Sequence, residues 1–311
     1  MKALLVAMIA VATACGRPAK RPPPDDTGDS GGGVDPAELA GAFDHKCAGG
    51  DLEACRNLGV MYAEGTGVSP DPRRATKLFT QACNGGNLPA CNHLALALAE
   101  GMGTERQPLK AVEVYQKACD GGYKLACRNL GLMLRDGRGV PPDLVRAEAL
   151  LDKACKAGVP LACTSAGDLD AARAIKGGGA RYKEMLAHYK QGCDAGDPTA
   201  CRQIGLAYLD GKGVTRSPAA AAVWLERACM PDDPVACRVL GLMKLHGTGV
   251  PRDIERGKQM LVRSCDAKDA EACRTLDAVN EVPEEGADDA GVAVDAGVPP
   301  GANGAARSPH R

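Results

Sequence analysis

The chain has 311 residues, a formal net charge of -1, and one Trp, six Tyr and two Phe against thirty-nine Gly and fifteen Cys. So few large side chains argue for a thin, Ala- and Gly-rich architecture rather than one thick core, and a near-neutral chain poor in aromatic rings lacks the basic field and the stacking platforms of a nucleic-acid binder. Abundant cysteine implies metal ligation or disulfides in an oxidising compartment, and the odd count has to be accounted for.

Residues 1–15 read MKALLVAMIAVATAC: Lys2, an apolar stretch over 3–11, then small residues up to Cys15. This is a secretory signal, too short to span a bilayer as a permanent helix. Ala12, Thr13 and Ala14 before Cys15 resemble a bacterial lipobox, with Ala12 departing from the usual Leu; the other reading is an ordinary A-x-A cleavage site with an incidental Cys15. A lipidated Cys15 would carry several acyl chains, a stable anchor by the per-methylene arithmetic. Residues 16–35, rich in Pro, Gly and Asp, bury too little apolar surface to fold and are expected to be a disordered tether. The expected location follows: secreted across the inner membrane and held by a lipid anchor, at the outer membrane or facing the periplasm. Gly16 rather than Asp after Cys15 speaks against inner-membrane retention.

The other cysteines form a ladder: Cys47 and Cys55, Cys83 and Cys91, Cys119 and Cys127, Cys155 and Cys163, Cys193 and Cys201, Cys229 and Cys237, Cys265 and Cys273. Members of a pair stand eight positions apart, and pairs recur every 36 residues with one step of 38. Such a period is the signature of stacked helical hairpins. Ala54, Ala90, Ala126, Ala162, Ala200, Ala236 and Ala272 precede the second cysteines. Four residues before the first cysteines stand Phe43, Phe79, Tyr115, Leu151, Tyr189, Leu225 and Leu261, and eight before them Ala75, Ala111, Ala147 and Ala221 recur. Offsets of four and eight share one helical face, so this segment, helix B, buries that stripe.

Helix boundaries are legible too. Asp35, Asp71 and Ser217, each followed by Pro, and Asp143 and Asp253 without it, are N-caps of B helices. Gly50, Gly86, Gly122, Gly158 and Gly196 follow as left-handed stops. Asp51, Asn87, Asp197, Asp233 and Asp269 then cap helix A, which holds the second cysteine in its first turn and ends at a G-x-G such as Gly65-Thr66-Gly67 or Gly247-Thr248-Gly249. Each helix is expected to run about 12 to 14 residues, or about 20 Å.

One cysteine thus closes helix B and its mate opens the next helix A, across a corner where the Cα atoms approach within disulfide range. No C-x-x-C occurs, and His45, His93, His188, His246 and His310 are scattered, so neither metal nor cofactor is expected. Seven local disulfides follow, each worth about 2–3 kcal/mol on the chain-entropy argument.

The pattern A-C-x-x-L-G-x-x-x-x-x-G-x-G-V, then a cap, an Ala-containing helix and A-C-x-x-G, resembles Sel-1-like repeats, relatives of the tetratricopeptide repeat. Residues 126–155, ACRNLGLMLRDGRGVPPDLVRAEALLDKAC, are the clearest copy. Pairing one cysteine from each helix is similar to the secreted cysteine-rich Hcp, or beta-lactamase HcpB-like, branch. The resemblance covers about residues 36–280 and implies an all-α, right-handed α/α superhelical solenoid that presents a concave face, lined by helix A, to a protein or peptide. Its family label raises an alternative, binding or slow hydrolysis of beta-lactams. The residues do not support carrying that over: none of Ser30, Ser69, Ser165, Ser217, Ser264 and Ser308 begins S-x-x-K, and neither H-E-x-x-H nor G-x-S-x-G occurs, so no catalytic residue is assigned.

The copy between Cys163 and Cys193 departs from the pattern. It is two residues longer and has Gly177, Gly178 and Gly179 in place of G-x-G-V, which reads as a tolerated insertion or as a hinge that breaks the curvature. Residues 281–311 are expected to be a disordered tail.

Binding leaves a trace in two rows. After the second cysteines stand Arg56, Asn92, Arg128, Thr164, Arg202, Arg238 and Arg274, and one position further Asn57, His93, Asn129, Ser165, Gln203, Val239 and Thr275. Aligned on stacked A helices, they would form a basic and polar ladder for an acidic or carboxylate-bearing segment. The other reading is that each Arg pairs with a nearby acidic side chain. Trp224 is expected to be a core residue of its helix B. The function expected is a non-catalytic, disulfide-stapled binding scaffold of the cell envelope.

Overall fold

The computed structural model describes residues 35–177 and 181–281. The leader, Cys15, the tether up to Val34 and the tail from Val282 onward lie outside the described residues. Those described contain fourteen helices and no strand: α1 (Pro36–Ala48), α2 (Leu52–Glu64), α3 (Pro72–Asn84), α4 (Leu88–Glu100), α5 (Pro108–Asp120), α6 (Lys124–Asp136), α7 (Leu144–Lys156), α8 (Pro160–Lys176), α9 (Tyr182–Asp194), α10 (Pro198–Asp210), α11 (Pro218–Cys229), α12 (Pro234–His246), α13 (Ile254–Asp266) and α14 (Ala270–Glu281). Odd-numbered helices are the B helices and even-numbered ones the A helices. Each packs on its sequence neighbours, which makes the array a solenoid.

The expected caps hold. Asp71 accepts from the amides of Arg73 and Arg74, Asp143 from Arg146 and Asp253 from Arg256. Asp51, Asn87, Asp197, Asp233 and Asp269 do the same for A helices. Between B and A the chain turns through a left-handed residue, Gly122 at φ 97° for example. Asp232 and Lys268 adopt the same conformation at the last two corners, with φ of 86° and 73°.

At each corner a disulfide joins the last turn of a B helix to the first turn of the next A helix. All seven pairs form as spaced, with Cα atoms 4.5–4.7 Å apart. The Gly of the L-G pair explains how an A helix meets the following B helix. A Cβ on Gly59 would sit 2.6 Å from a ring carbon of Phe79, and one on Gly205 would sit 2.7 Å from Leu225. The large residue four positions before the first cysteine is therefore a knob and the glycine its hole, in five of the repeats; for Tyr115 that phase holds Ala95 instead. Trp224 is half-buried against the second core described below, with the Arg227 guanidinium 5.7 Å over its ring.

One hairpin differs. α8 has seventeen residues where the other helices have twelve or thirteen, exceeding the length expected for every helix. Without a G-x-G to stop it, the run AARAIK, good helix formers, carries the helix on by a turn. The core changes there as well: one cluster of buried apolar side chains runs from Ala75 in α3 to Leu169 in α8, and the next from Met185 in α9 to Met243 in α12. Between them lies a charged network. Asp170, its side chain 3% exposed, accepts from Arg181 Nη1 at 3.1 Å and faces His188 Nδ1 at 2.8 Å. Glu148 pairs with Arg173 and, at 2.5 Å, with Arg181, and Asp152 stands 3.6 Å from His188 Nε2.

Candidate functional site

The A helices bring the two rows together through bonds that cross from one repeat to the next. Arg202 Nη1 on α10 donates to both carboxylate oxygens of Asp233, the N-cap of α12, at 3.1 and 2.9 Å. Arg238 Nε on α12 donates to Asp269 beside α14 at 2.9 Å, and its Nη2 lies 3.1 Å from Glu271. Thr164 on α8 gives its hydroxyl hydrogen to Asp197, the N-cap of α10. A single carboxylate thus caps its own helix and clasps the preceding A helix. Asp233 shows both uses, because Oδ1 also accepts from the Ala236 amide at 2.8 Å.

The earlier repeats do not repeat this clasp. Arg56 pairs with Glu53 on its own helix, and Glu53 also accepts from Asn87 Nδ2, the N-cap of α4, at 2.9 Å. Those two bonds hold the Glu53 carboxyl below its usual pKa. Asn129 Nδ2 on α6 donates to Asn92 Oδ1 on α4 at 2.9 Å. Arg128 has one bond, a 3.3 Å contact from Nη1 to Asn129 Oδ1, and its Nε is buried without a partner. No carboxylate pairs with it within ion-pair distance among the described residues. The residue at the N-cap of α8 is Val159, which has no acceptor side chain. Burial, then the like charge of Arg135 and, less, that of Arg138, lower the Arg128 pKa against the opposing charge of Asp197. Arg274, on α14, is exposed, and Asn57 and Gln203 are half-buried.

Two neighbours of the rows are tuned by burial. His93 stacks on Phe79 with ring centroids 4.9 Å apart, and its pKa falls to about 4, so it is neutral at ordinary pH. Asp168 stands where α2, α4, α6, α10 and α12 carry Val60, Leu96, Leu132, Leu206 and Leu242. It accepts from the Tyr189 hydroxyl at 2.8 Å, and burial raises its pKa. An otherwise apolar stripe, half-buried and one turn along from the Arg row, is interrupted at α8.

The Ser165 hydroxyl donates to Leu161 O and the Ser264 hydroxyl to Pro234 O, while Ser217 caps α11. Among the described residues no group of His, Cys, Asp and Glu is arranged to hold a metal ion, and no helix is long and apolar enough to cross a membrane.

Sequence reasoning brought out the rows but not the pairing rule. The signal was there: the clasping aspartate lies 31 positions after its Arg in both cases. Counting 31 from Arg128 reaches Val159.

Comparison with known proteins places the pattern. A family model of the Sel1 repeat matches residues 52–87, 88–123, 124–159, 198–230 and 234–269, more than half of the chain, and skips the α8–α9 hairpin. Among solved structures, a protective antigen present in uropathogenic Escherichia coli strains, displaying an SLR fold, is 26% identical over 77% of this chain with a TM-score of 0.65. This chain spans 51% of that antigen's length. A Sel1 repeat protein from Oxalobacter formigenes is 26% identical over 74% of this chain and 89% of its own, with a TM-score of 0.63. The cysteine-rich protein B of Helicobacter pylori is similar over 43% of this chain and 96% of its own, at 23% identity and a TM-score of 0.36. No curated protein matches significantly.

Proposed function

Because this chain belongs to the Sel1 repeat family, we propose that it is a non-catalytic scaffold that captures an extended protein or peptide segment along the face shared by its A helices, held at the cell envelope by a lipid on Cys15. The observation that carries this reading is the continuity of that face. Bonds from α4 to α6, α8 to α10, α10 to α12 and α12 to Asp269 at the start of α14 align equivalent side chains from repeat to repeat. A half-buried apolar stripe runs beside them. An extended ligand meets side chains in the same phase at each step, with their chemistry varied at α6 and α8, which is how stacked repeats build a long binding surface. On this reading the A helices line the inner side of the superhelix.

Seven disulfides support an oxidising environment for the chain. The lipobox-like sequence before Cys15 supports anchoring there, by an acylated cysteine facing the periplasm or the exterior. The test is a crosslinking pull-down from envelope membranes, paired with intact-mass analysis of the mature protein. Expected are a salt-sensitive protein partner and an acylated N-terminal cysteine that Cys15→Ser abolishes. A chain that crosslinks to nothing beyond a scrambled-repeat control overturns the scaffold reading, and an unacylated mature N-terminus overturns the anchor.

A further inference from the structure

At α10 and α12 the Arg row is engaged within the fold, because Arg202 and Arg238 are taken by Asp233 and Asp269. After α6 the corresponding place belongs to Val159, and the clasp is missing. A second clasp is altered across the same helix: Asp197, 5% exposed, meets Thr164 rather than an arginine. The first departure is the N-cap of α8 and the second lies in α8 itself, the helix that the family pattern skips. They leave Arg128 partly buried, with its Nε unpartnered, in a field to which Arg135 and Arg138 add positive charge and which Asp197 offsets only in part. Those two are themselves engaged, Arg135 with Asp136 at 2.7 Å and Arg138 with Glu100 at 3.2 Å. A buried donor without an acceptor is costly, and a carboxylate brought to the half-buried Arg128 side chain forms the stronger, charge-assisted kind of hydrogen bond. One helical turn from Arg128 and Asn92 stand the half-buried Leu132 and Leu96, an apolar ledge beside the cation.

We propose that Arg128, left without a clasping carboxylate because Val159 holds that place, is the anchor point for a side-chain carboxylate of an acidic, partly apolar peptide segment. The ligand's carboxylate takes the role that Asp233 and Asp269 play for the later arginines, and its apolar side chains lie on Leu96 and Leu132. This rests on the scaffold reading and narrows it to one residue and one charge type.

The test is fluorescence anisotropy of the full chain with a labelled peptide of alternating Glu and Leu, both ends blocked. Two further peptides and one further condition serve as probes: a Gln-for-Glu version with blocked ends, the same version with a free C-terminus, and the Glu peptide at raised salt. Arg128→Gln is expected to weaken binding about tenfold or more, the loss of a charged hydrogen bond. Val159→Asp supplies an internal carboxylate and is expected to weaken binding as much while raising the Tm, which separates a quenched site from a damaged fold. Arg263→Ala, on a B helix, leaves binding unchanged. The blocked Gln peptide binds as weakly as the Glu peptide binds to Arg128→Gln, and salt weakens the Glu peptide. If Val159→Asp and Arg128→Gln bind the Glu peptide like the parent, or the parent does not bind it, the subsite is wrong, while the membrane pull-down still decides the scaffold reading. Arg128-dependent binding of the Gln peptide only when its C-terminus is free would overturn the side-chain assignment in favour of a terminal carboxylate.

Discussion

From α10 to α14 the A helices are tied by charge: Arg202 reaches Asp233, Arg238 reaches Asp269, and each aspartate also caps the helix it precedes. From α4 to α8 the same phase carries Asn92 and Arg128 against N-caps Tyr123 and Val159, neither of which makes a side-chain cap bond. Period, disulfide corners and glycine holes are common to both regions, so the stack does not need the clasp. What the clasp changes is whether an arginine is spent inside the fold or left open to a partner. Removing one acceptor two helices away is enough to switch its state.

Four measurements would break or sharpen this contrast. The largest effect is expected at the α8–α9 hairpin, where charge replaces apolar packing. Asp170→Ala removes one acceptor each from Arg181 and His188, which keep Glu148 and Asp152, and should cost about 3 kcal/mol for two charged hydrogen bonds, read as faster hydrogen exchange in α7–α9; exchange no faster than in the parent would mean the network is ornamental. Next come the staples. Deleting Cys155–Cys163 by paired Ala substitutions should cost about 2–3 kcal/mol and open the chain to protease there first. Deleting Cys229–Cys237 should be buffered locally by the Arg202–Asp233 clasp, and identical cleavage patterns would deny that buffering.

The direct comparison of arginines is smaller. Arg238→Ala leaves Asp269, whose side chain is 11% exposed, without its cation, and should lower stability by about 1–2 kcal/mol in chemical denaturation. Arg128→Ala should cost less than about 0.5 kcal/mol, or stabilise, because no ion pair is lost; equal costs for the two would erase the distinction.

The smallest effect is pH-dependent. The hydrogen bond to Asp170, then its charge, outweighs burial and raises the His188 pKa above the ordinary 6.5, and Asp152 adds to the shift. Charged groups facing it from the packed elements are thus Asp170 on α8 and Asp152 on α7, with Arg181, Arg173 and Glu148 in the same network. A folded pKa above the unfolded one contributes stability that is complete below the unfolded value and is lost as pH rises through the folded value. Protection of α8 and α9, corrected for intrinsic exchange, should therefore fall on going from mildly acidic to alkaline pH, by less than either arginine substitution above changes stability. His188→Gln should flatten that slope; a slope that survives the substitution would assign it elsewhere.

Much of the fold was open to inspection in the primary structure, because the decisive signals are local. An Asp–Pro before an apolar stripe starts a helix, a left-handed Gly stops one, and two cysteines eight apart across a corner meet without help from the rest of the chain. The exception, α8, was visible as an irregularity, but not as a longer helix. Its length depends on the lack of a stop signal and on a polar network that only folding assembles. The candidate site was legible by position and not by state. Arg56, Arg128, Arg202 and Arg238 share one phase, and sequence alone left open whether they pair.

By itself the sequence determined the repeat, the helix boundaries and the disulfide partners, since each depends on residues within one or two turns of one another. Which cations keep an unspent charge was decided only by the tertiary stack. The rise from one A helix to the next brings an arginine to a residue 31 positions away, and an ion pair forms or fails according to the side chain found there.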